Sequence, residues 1–172
     1  MLYNIPMRNL RSFGFLEKKK YGFTLIEILV VISIIGVLSS VVMASISKVK
    51  TKALDVAVKA NLNAAREQAQ IYYEDQSPNG YASATFGENP CPQIYDPSGT
   101  NLFTQDAVVS SAIVAAIAKG NGISACYASA TAYGIAVGLK TAGYAWCVDS
   151  TGNTSQFPGA PGTVLVAGGV CQ

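Results

Sequence analysis

The segment KKKYGFTLIEILVVISIIGVLSSVVM, residues 18–43, decides how the rest of the chain is read. Three lysines run straight into an apolar stretch, Phe23 to Met43, that holds one carboxylate, Glu27. As a helix rising ~1.5 Å per residue, that stretch covers roughly 31 Å, the thickness of a bilayer core. Basic residues ahead of such a span favour keeping that end in the cytoplasm. Lys48, Lys50 and Lys52 follow closely, so the charge contrast across the span is shallow.

The helical pattern continues past the apolar stretch. Leu54, Val58, Leu62, Ala65, Ala69 and Tyr72 recur at steps of three and four and form one apolar stripe, while Lys59, Asn63, Arg66, Glu67 and Gln70 fall largely off it. No Pro or Gly interrupts the run between Val37 and Ser77. One helix is therefore expected over residues 23–76, apolar all round in its first half and amphipathic in its second.

After it the chemistry changes. SPNGYASATFGENPCPQIYDPSGTN, residues 77–101, is loop-forming. A shorter helix is expected from Gln105 to Lys119, with Asp106 in its first turn, Lys119 in its last and Gly120 ending it. In Thr131–Lys140 the period becomes two: Tyr133, Ile135, Val137 and Leu139 alternate with Ala132, Gly134, Ala136 and Gly138. This reads as a strand with one bulky and one nearly bare face. Tyr144, Trp146 and Val148 mark a second strand, joined to the first by a hairpin across Lys140–Gly143. Asp149–Asn153 reads as a turn and Thr163–Ala167 as a further strand. The expected fold class is α+β: a long N-terminal helix whose stripe covers a small antiparallel sheet.

Composition narrows the function. Charged residues make up 13% of the chain, against about 25% in ordinary globular chains. Residues 1–22 carry five basic side chains against Glu17, whereas residues 23–172 carry seven basic and nine acidic ones. No long basic run suggests a nucleic-acid footprint; Lys48, Lys50, Lys52, Lys59 and Arg66 read as membrane-proximal or ion-pairing residues in preference to a DNA-binding face, and a nucleic-acid partner is left open but not predicted. The chain has no His, which removes the commonest general base and metal ligand. No G-x-S-x-G, S-x-x-K or phosphate-loop pattern is present, so neither an enzyme nor a cofactor is expected. The single carboxylate of Asp149–Asn153 favours a plain turn over a calcium loop, and no metal site is expected.

Four cysteines, Cys91, Cys126, Cys147 and Cys171, lie downstream of the apolar segment, at spacings of 35, 21 and 24 residues and without a C-x-x-C pair. That pattern favours two disulfides in an oxidising compartment over a zinc site. Chain order suggests Cys91–Cys126 and Cys147–Cys171 among the three possible pairings.

Lysines, a glycine, an aromatic residue, T-L-I-E (Thr24 to Glu27) and a long apolar helix, in this order, resemble the N-terminus of type IV pilins and pseudopilins. YAWCVDSTGN, residues 144–153, is similar to the hairpin region of bacterial pilin-like proteins. The chain departs from the family in having Ala44 and Ser45 where many pilins carry a helix-kinking Pro. The resemblance implies a pilin-like fold with a leader at 1–22, a long helix at 23–76 (membrane and assembly segment 23–43) and a globular head at 77–172. It implies cleavage after Gly22 by a membrane prepilin peptidase, and N-methylation of the new N-terminal Phe23. It implies a single-pass cytoplasmic-membrane protein with its head outside the cytoplasm. That protein then enters an extracellular filament or a periplasmic pseudopilus, built of copies of itself by a membrane platform and a cytoplasmic ATPase.

On this reading Glu27 is an assembly residue. Cleavage leaves a positive α-amine on Phe23 inside the membrane, and the acid of an adjacent subunit neutralises it. The competing reading of Glu27 is a carboxyl snorkelling to the interface. The competing reading of the segment is a secretory signal peptide cut near Ala44, which its length and its acid disfavour.

Overall fold

The computed structural model describes residues 22–88 and 90–172. The expected leader, 1–22, and its lysines thus lie outside the described residues, Gly22 excepted. The chain divides into two units at the step from Val42 to Met43, and each is described separately. One helix, α1 (Leu25–Asp75), contributes to both. In the first unit every residue of α1 is exposed.

In the second unit α1 is followed by β1 (Phe86–Glu88), α2 (Leu102–Gln105), α3 (Ala107–Lys119), β2 (Ser124–Ala128), β3 (Tyr133–Gly138), β4 (Tyr144–Asp149), β5 (Thr154–Pro158), α4 (Pro161–Val164), β6 (Leu165–Val166) and β7 (Val170–Cys171). Strands β1 to β5 form one antiparallel sheet in sequence order, and β6 and β7 form a small hairpin.

The helical stripe read from the sequence is the core. Val58, Leu62, Ala65 and Ala69 are fully buried and join Tyr133, Ile135, Val137, Leu139 and Val148 of the sheet, with Val109, Ile113 and Ala116 of α3, in one cluster. The alternation of β3 sets this: its large residues face the helices. The β3–β4 register pairs Ile135 with Val148 and Val137 with Trp146.

The opposite face is not bare. Ala125, Ala136, Ala145 and Cys147 form a second cluster with Val164 and Cys171 of the C-terminal segment. Small residues are needed there because another backbone comes so close. A Cβ on Gly134 would lie 2.4 Å from Leu165 Cδ1 and 2.5 Å from the Gly169 carbonyl oxygen. The sheet therefore has two covers where the sequence suggested one.

Three boundaries need correction. The expected helix Gln105–Lys119 starts instead at Ala107, because Asp106 is an N-cap with extended backbone, its Oδ1 accepting from the Val108 and Val109 N–H groups at 2.8 Å each, and Gln105 ends the separate short helix α2. The expected strand Thr163–Ala167 begins instead as the helical turn α4, with Pro161 at its first position, and only Leu165 and Val166 are extended. Strand β3 is also shorter than Thr131–Lys140.

Candidate processing and assembly segment

Gly22, Phe23 and Thr24 precede the first turn of α1 and have no regular structure. Phe23 is 82% exposed. The helix begins at Leu25 because Thr24 and Glu27 cap it reciprocally. Glu27 Oε2 accepts from the Thr24 N–H and the Thr24 hydroxyl at 2.7 Å each, and the Glu27 N–H donates to Thr24 Oγ1 at 3.3 Å. This is a capping box, satisfying donors that a helix start leaves unpaired.

The reading of Glu27 as an acid awaiting a neighbour overlooked this in-chain partner. The T-x-x-E spacing ahead of an apolar run was the available signal. Both Thr24 donors fall on Oε2, and among the described residues Oε1 accepts nothing.

From Leu25 to Met43 large apolar side chains are exposed all round the helix, including Leu25, Ile32, Ile35, Leu38 and Met43, with Glu27 the one charged residue. Two of the hydroxyls in this run bond back to the helix itself. Ser33 Oγ donates to the Leu29 carbonyl and Ser40 Oγ to the Val37 carbonyl, both at 2.7 Å. Satisfied hydroxyls suit a hydrocarbon environment, which offers no partners. Gly36 does not break the helix, and a Cβ there would meet nothing within 4 Å. Among the described residues α1 alone is long and apolar enough to cross a membrane.

In the second unit α1 exposes a further apolar row, Val49, Ala53, Val56, Ala60, Ala64 and Ile71, broken by Glu67. It lies off the buried stripe of Val58, Leu62, Ala65, Ala69 and Tyr72.

The cysteines pair as chain order suggests. Cys91 bonds Cys126 with Cα atoms 5.0 Å apart, and Cys147 bonds Cys171 at 5.8 Å. The first ties the Pro-rich loop to β2, and the second ties β7 to β4. Asp149 is buried and fully engaged. Its Oδ1 accepts from Thr151 N–H, Thr151 O–H and Asn153 N–H, and its Oδ2 from Cys171 N–H at 2.9 Å. It closes the β4–β5 turn and anchors the C-terminal segment. Among the described residues no group of three His, Cys, Asp or Glu is placed to hold a metal ion.

Residues 18–43 match the family described as the prokaryotic N-terminal methylation motif. No curated protein and no solved structure matches the chain. An apolar helix at that motif is compatible with a single-pass membrane anchor. The chain thus carries a type IV prepilin-type signature, in a protein whose long helix and small antiparallel sheet are consistent with the α+β pilin fold.

Proposed function

We propose that this protein is the structural subunit of a type IV pilus-like filament. A prepilin peptidase cuts it after Gly22, Phe23 is N-methylated, and copies polymerise through α1 with the help of a membrane platform and a cytoplasmic ATPase. The observation that carries the proposal is the methylation motif at 18–43, set on a helix that exposes large apolar side chains all round. Buried in a bilayer, that surface is stable in a monomer. Packed against other copies it becomes the core of a polymer, and in the second unit the exposed row from Val49 to Ile71 offers a further apolar face.

Glu27 supplies register. Its Oε2 belongs to the cap, while Oε1 remains available to the Phe23 ammonium of an adjacent subunit. In a medium of low dielectric each unpaired charge is costly, so the pair favours one docking position. The protein acts by assembly and not by catalysis, and it needs no cofactor. A pseudopilin of a type II secretion-like system, or a minor pilin, is the alternative, since either role uses the same features.

The test is the mass of the mature chain isolated from membranes. It should begin at Phe23 and carry one added methyl group. A chain beginning near Ser45, or an uncut chain, would refute the proposal.

A further inference from the structure

Two asparagines in the chain stand directly before a glycine, Asn79–Gly80 and Asn121–Gly122. At such a pair the backbone nitrogen of the glycine can attack the asparagine side chain, because no Cβ shields it. The fold treats the two pairs in opposite ways. Asn121 Oδ1 accepts from the Ile123 N–H at 2.9 Å, and the Asn121 N–H donates to the Gly138 carbonyl at 3.0 Å. This Asx turn holds the carboxamide in place. Strand β3 backs it, since a Cβ on Gly138 would lie 2.2 Å from Asn121 Oδ1 and 2.4 Å from its Nδ2.

Asn79 has none of these restraints. It is exposed, it lies in the irregular link between α1 and Tyr81, and its side chain makes no hydrogen bond to the described residues. The Gly80 N–H donates to none of them either. Beyond Gly80 the link is fixed, because the Tyr81 N–H donates to the Ala130 carbonyl at 3.3 Å and the Tyr81 carbonyl accepts from the Leu102 N–H at 2.9 Å. Asn79 and Gly80 both line an open cleft of about 390 Å³ with Ser77, Ser83 and Thr100, so water reaches them. We infer that Asn79 is a self-modifying residue, which the folded chain deamidates while it protects Asn121.

Water is the only co-reactant. The Gly80 amide nitrogen loses its proton to solvent and bonds to Asn79 Cγ. The bond from Cγ to Nδ2 breaks, and ammonia leaves with a proton from water. The cyclic imide then adds water. Opening at Cγ leaves a carboxylate on an ordinary backbone, and opening at the backbone carbonyl leaves a longer isoaspartyl link. Either product puts an acid just beyond the end of α1, where Glu74 and Asp75 already stand and the last turn holds no basic residue. A new anion there is opposed by both acids and by the helix dipole. Tyr81, the next residue after the pair, has its ring 4.7 Å from those of Tyr73 and Tyr133. The modification thus falls on the joint between helix and aromatic core, and the age of a chain is recorded there as charge. This inference does not depend on whether the chain polymerises.

The test ages the full chain in detergent micelles at neutral and mildly alkaline pH, then digests it for mass mapping. The peptide bearing Asn79 should gain the mass of an amide-to-acid exchange several-fold faster than the peptide bearing Asn121, and faster at the higher pH. Aspartyl and isoaspartyl products should both appear, since the ring opens on either side. In denaturant the two peptides should convert at similar rates, because the Asx turn at Asn121 is lost. Asn79→Gln should remove the acidic variant that isoelectric focusing detects in aged protein. Equal rates at the two sites in the folded chain, a purely aspartyl product, or a difference that persists in denaturant would overturn the inference.

Discussion

Asp55 of α1 holds the turn after Lys140. Its Oδ1 accepts from the Lys140 backbone N–H at 2.7 Å and the Thr141 N–H at 3.3 Å, and its Oδ2 accepts from the Thr141 hydroxyl at 2.5 Å. The carboxylate is buried on the helix and the donors belong to the link between β3 and β4, so the contact fixes where the hairpin meets α1. Asp55→Ala would remove three bonds to part-buried donors and should cost roughly 1–2 kcal/mol. Guanidinium unfolding of the full chain in micelles measures it, and an unchanged midpoint would show that the contact is replaced by water without loss.

Gly134 should resist even a methyl group. Gly134→Ala places a Cβ against the Gly169 backbone and Leu165, and overpacking of this kind costs about 1–3 kcal/mol. Gly87→Ala is the control, since its Cβ would meet only Tyr127 Cδ2 at an ordinary 3.7 Å. Thermal midpoints should separate the two variants, with Gly134→Ala the lower. Equal midpoints would mean the C-terminal segment shifts freely off the sheet.

High pH should weaken the folded head. Burial pushes the phenols of Tyr72, Tyr81 and Tyr133 above their ordinary value of 10.0, with Asp106 adding to the effect at Tyr72, Tyr73 and Glu74 at Tyr81, and Tyr81 at Tyr133. Below pH 10 folded and unfolded chains both keep these protons, and stability is unaffected. Above it the unfolded chain releases them first. The folded state then binds more protons, and stability falls with each further rise until the folded-state values are passed. Denaturant midpoints should be flat from pH 7 to 9 and drop beyond 10, in step with tyrosinate absorbance. A flat profile through pH 11 would contradict the burial of these rings.

Glu27→Gln separates the cap from the assembly role. Glutamine at this position of a capping box can still accept from Thr24, so α1 should start at the same residue. Processing after Gly22 should also persist, because the junction is unchanged. What should fall is the yield of sheared filaments at equal membrane levels, since the Phe23 ammonium of a neighbour loses its counter-charge. Equal yields would reduce Glu27 to a capping residue.

Removing the second disulfide should loosen the C-terminal cover. Cys147→Ser with Cys171→Ser opens a loop of about 25 residues, worth roughly 3 kcal/mol in the chain-entropy account. Asp149 would still hold the Cys171 position through its backbone N–H. Amide exchange should therefore rise first in Pro161–Val166 and only later in β3. Uniform exchange across the sheet would show that the disulfide supports the whole head.

The sequence made the large features legible and hid the small ones. The stripe from Leu54 to Tyr72 and the alternation in β3 are strong periodic signals, and the stripe faces the core from Val58 onward, as its spacing required, with Leu54 half-buried outside it. Strand β2 was missed because SACYA, residues 124–128, has little bulk and no clean alternation. It is a strand because β1 and β3 pair with it on either side. Strand β5 was missed because TSQFP, residues 154–158, is polar and ends in Pro, as an edge strand tolerates. The second cover of the sheet was hidden for a related reason. Glycine and alanine in β3 read as missing bulk, when they are the space into which another backbone fits. At the candidate site the cap between Thr24 and Glu27 is written in the T-x-x-E spacing.

The two cysteine bridges sit in different core clusters. Cys91–Cys126 lies with the helices and Cys147–Cys171 beneath the C-terminal segment. Each pins a cover onto one side of the same five-stranded sheet. A chain kept in a reducing compartment would hold both covers by packing and hydrogen bonds without a covalent tie, with the loop at residues 90–101 and the tail after Pro158 more open to proteases. The resistance of these two segments to digestion is therefore a readout of topology, telling on which side of a membrane the head completed its folding.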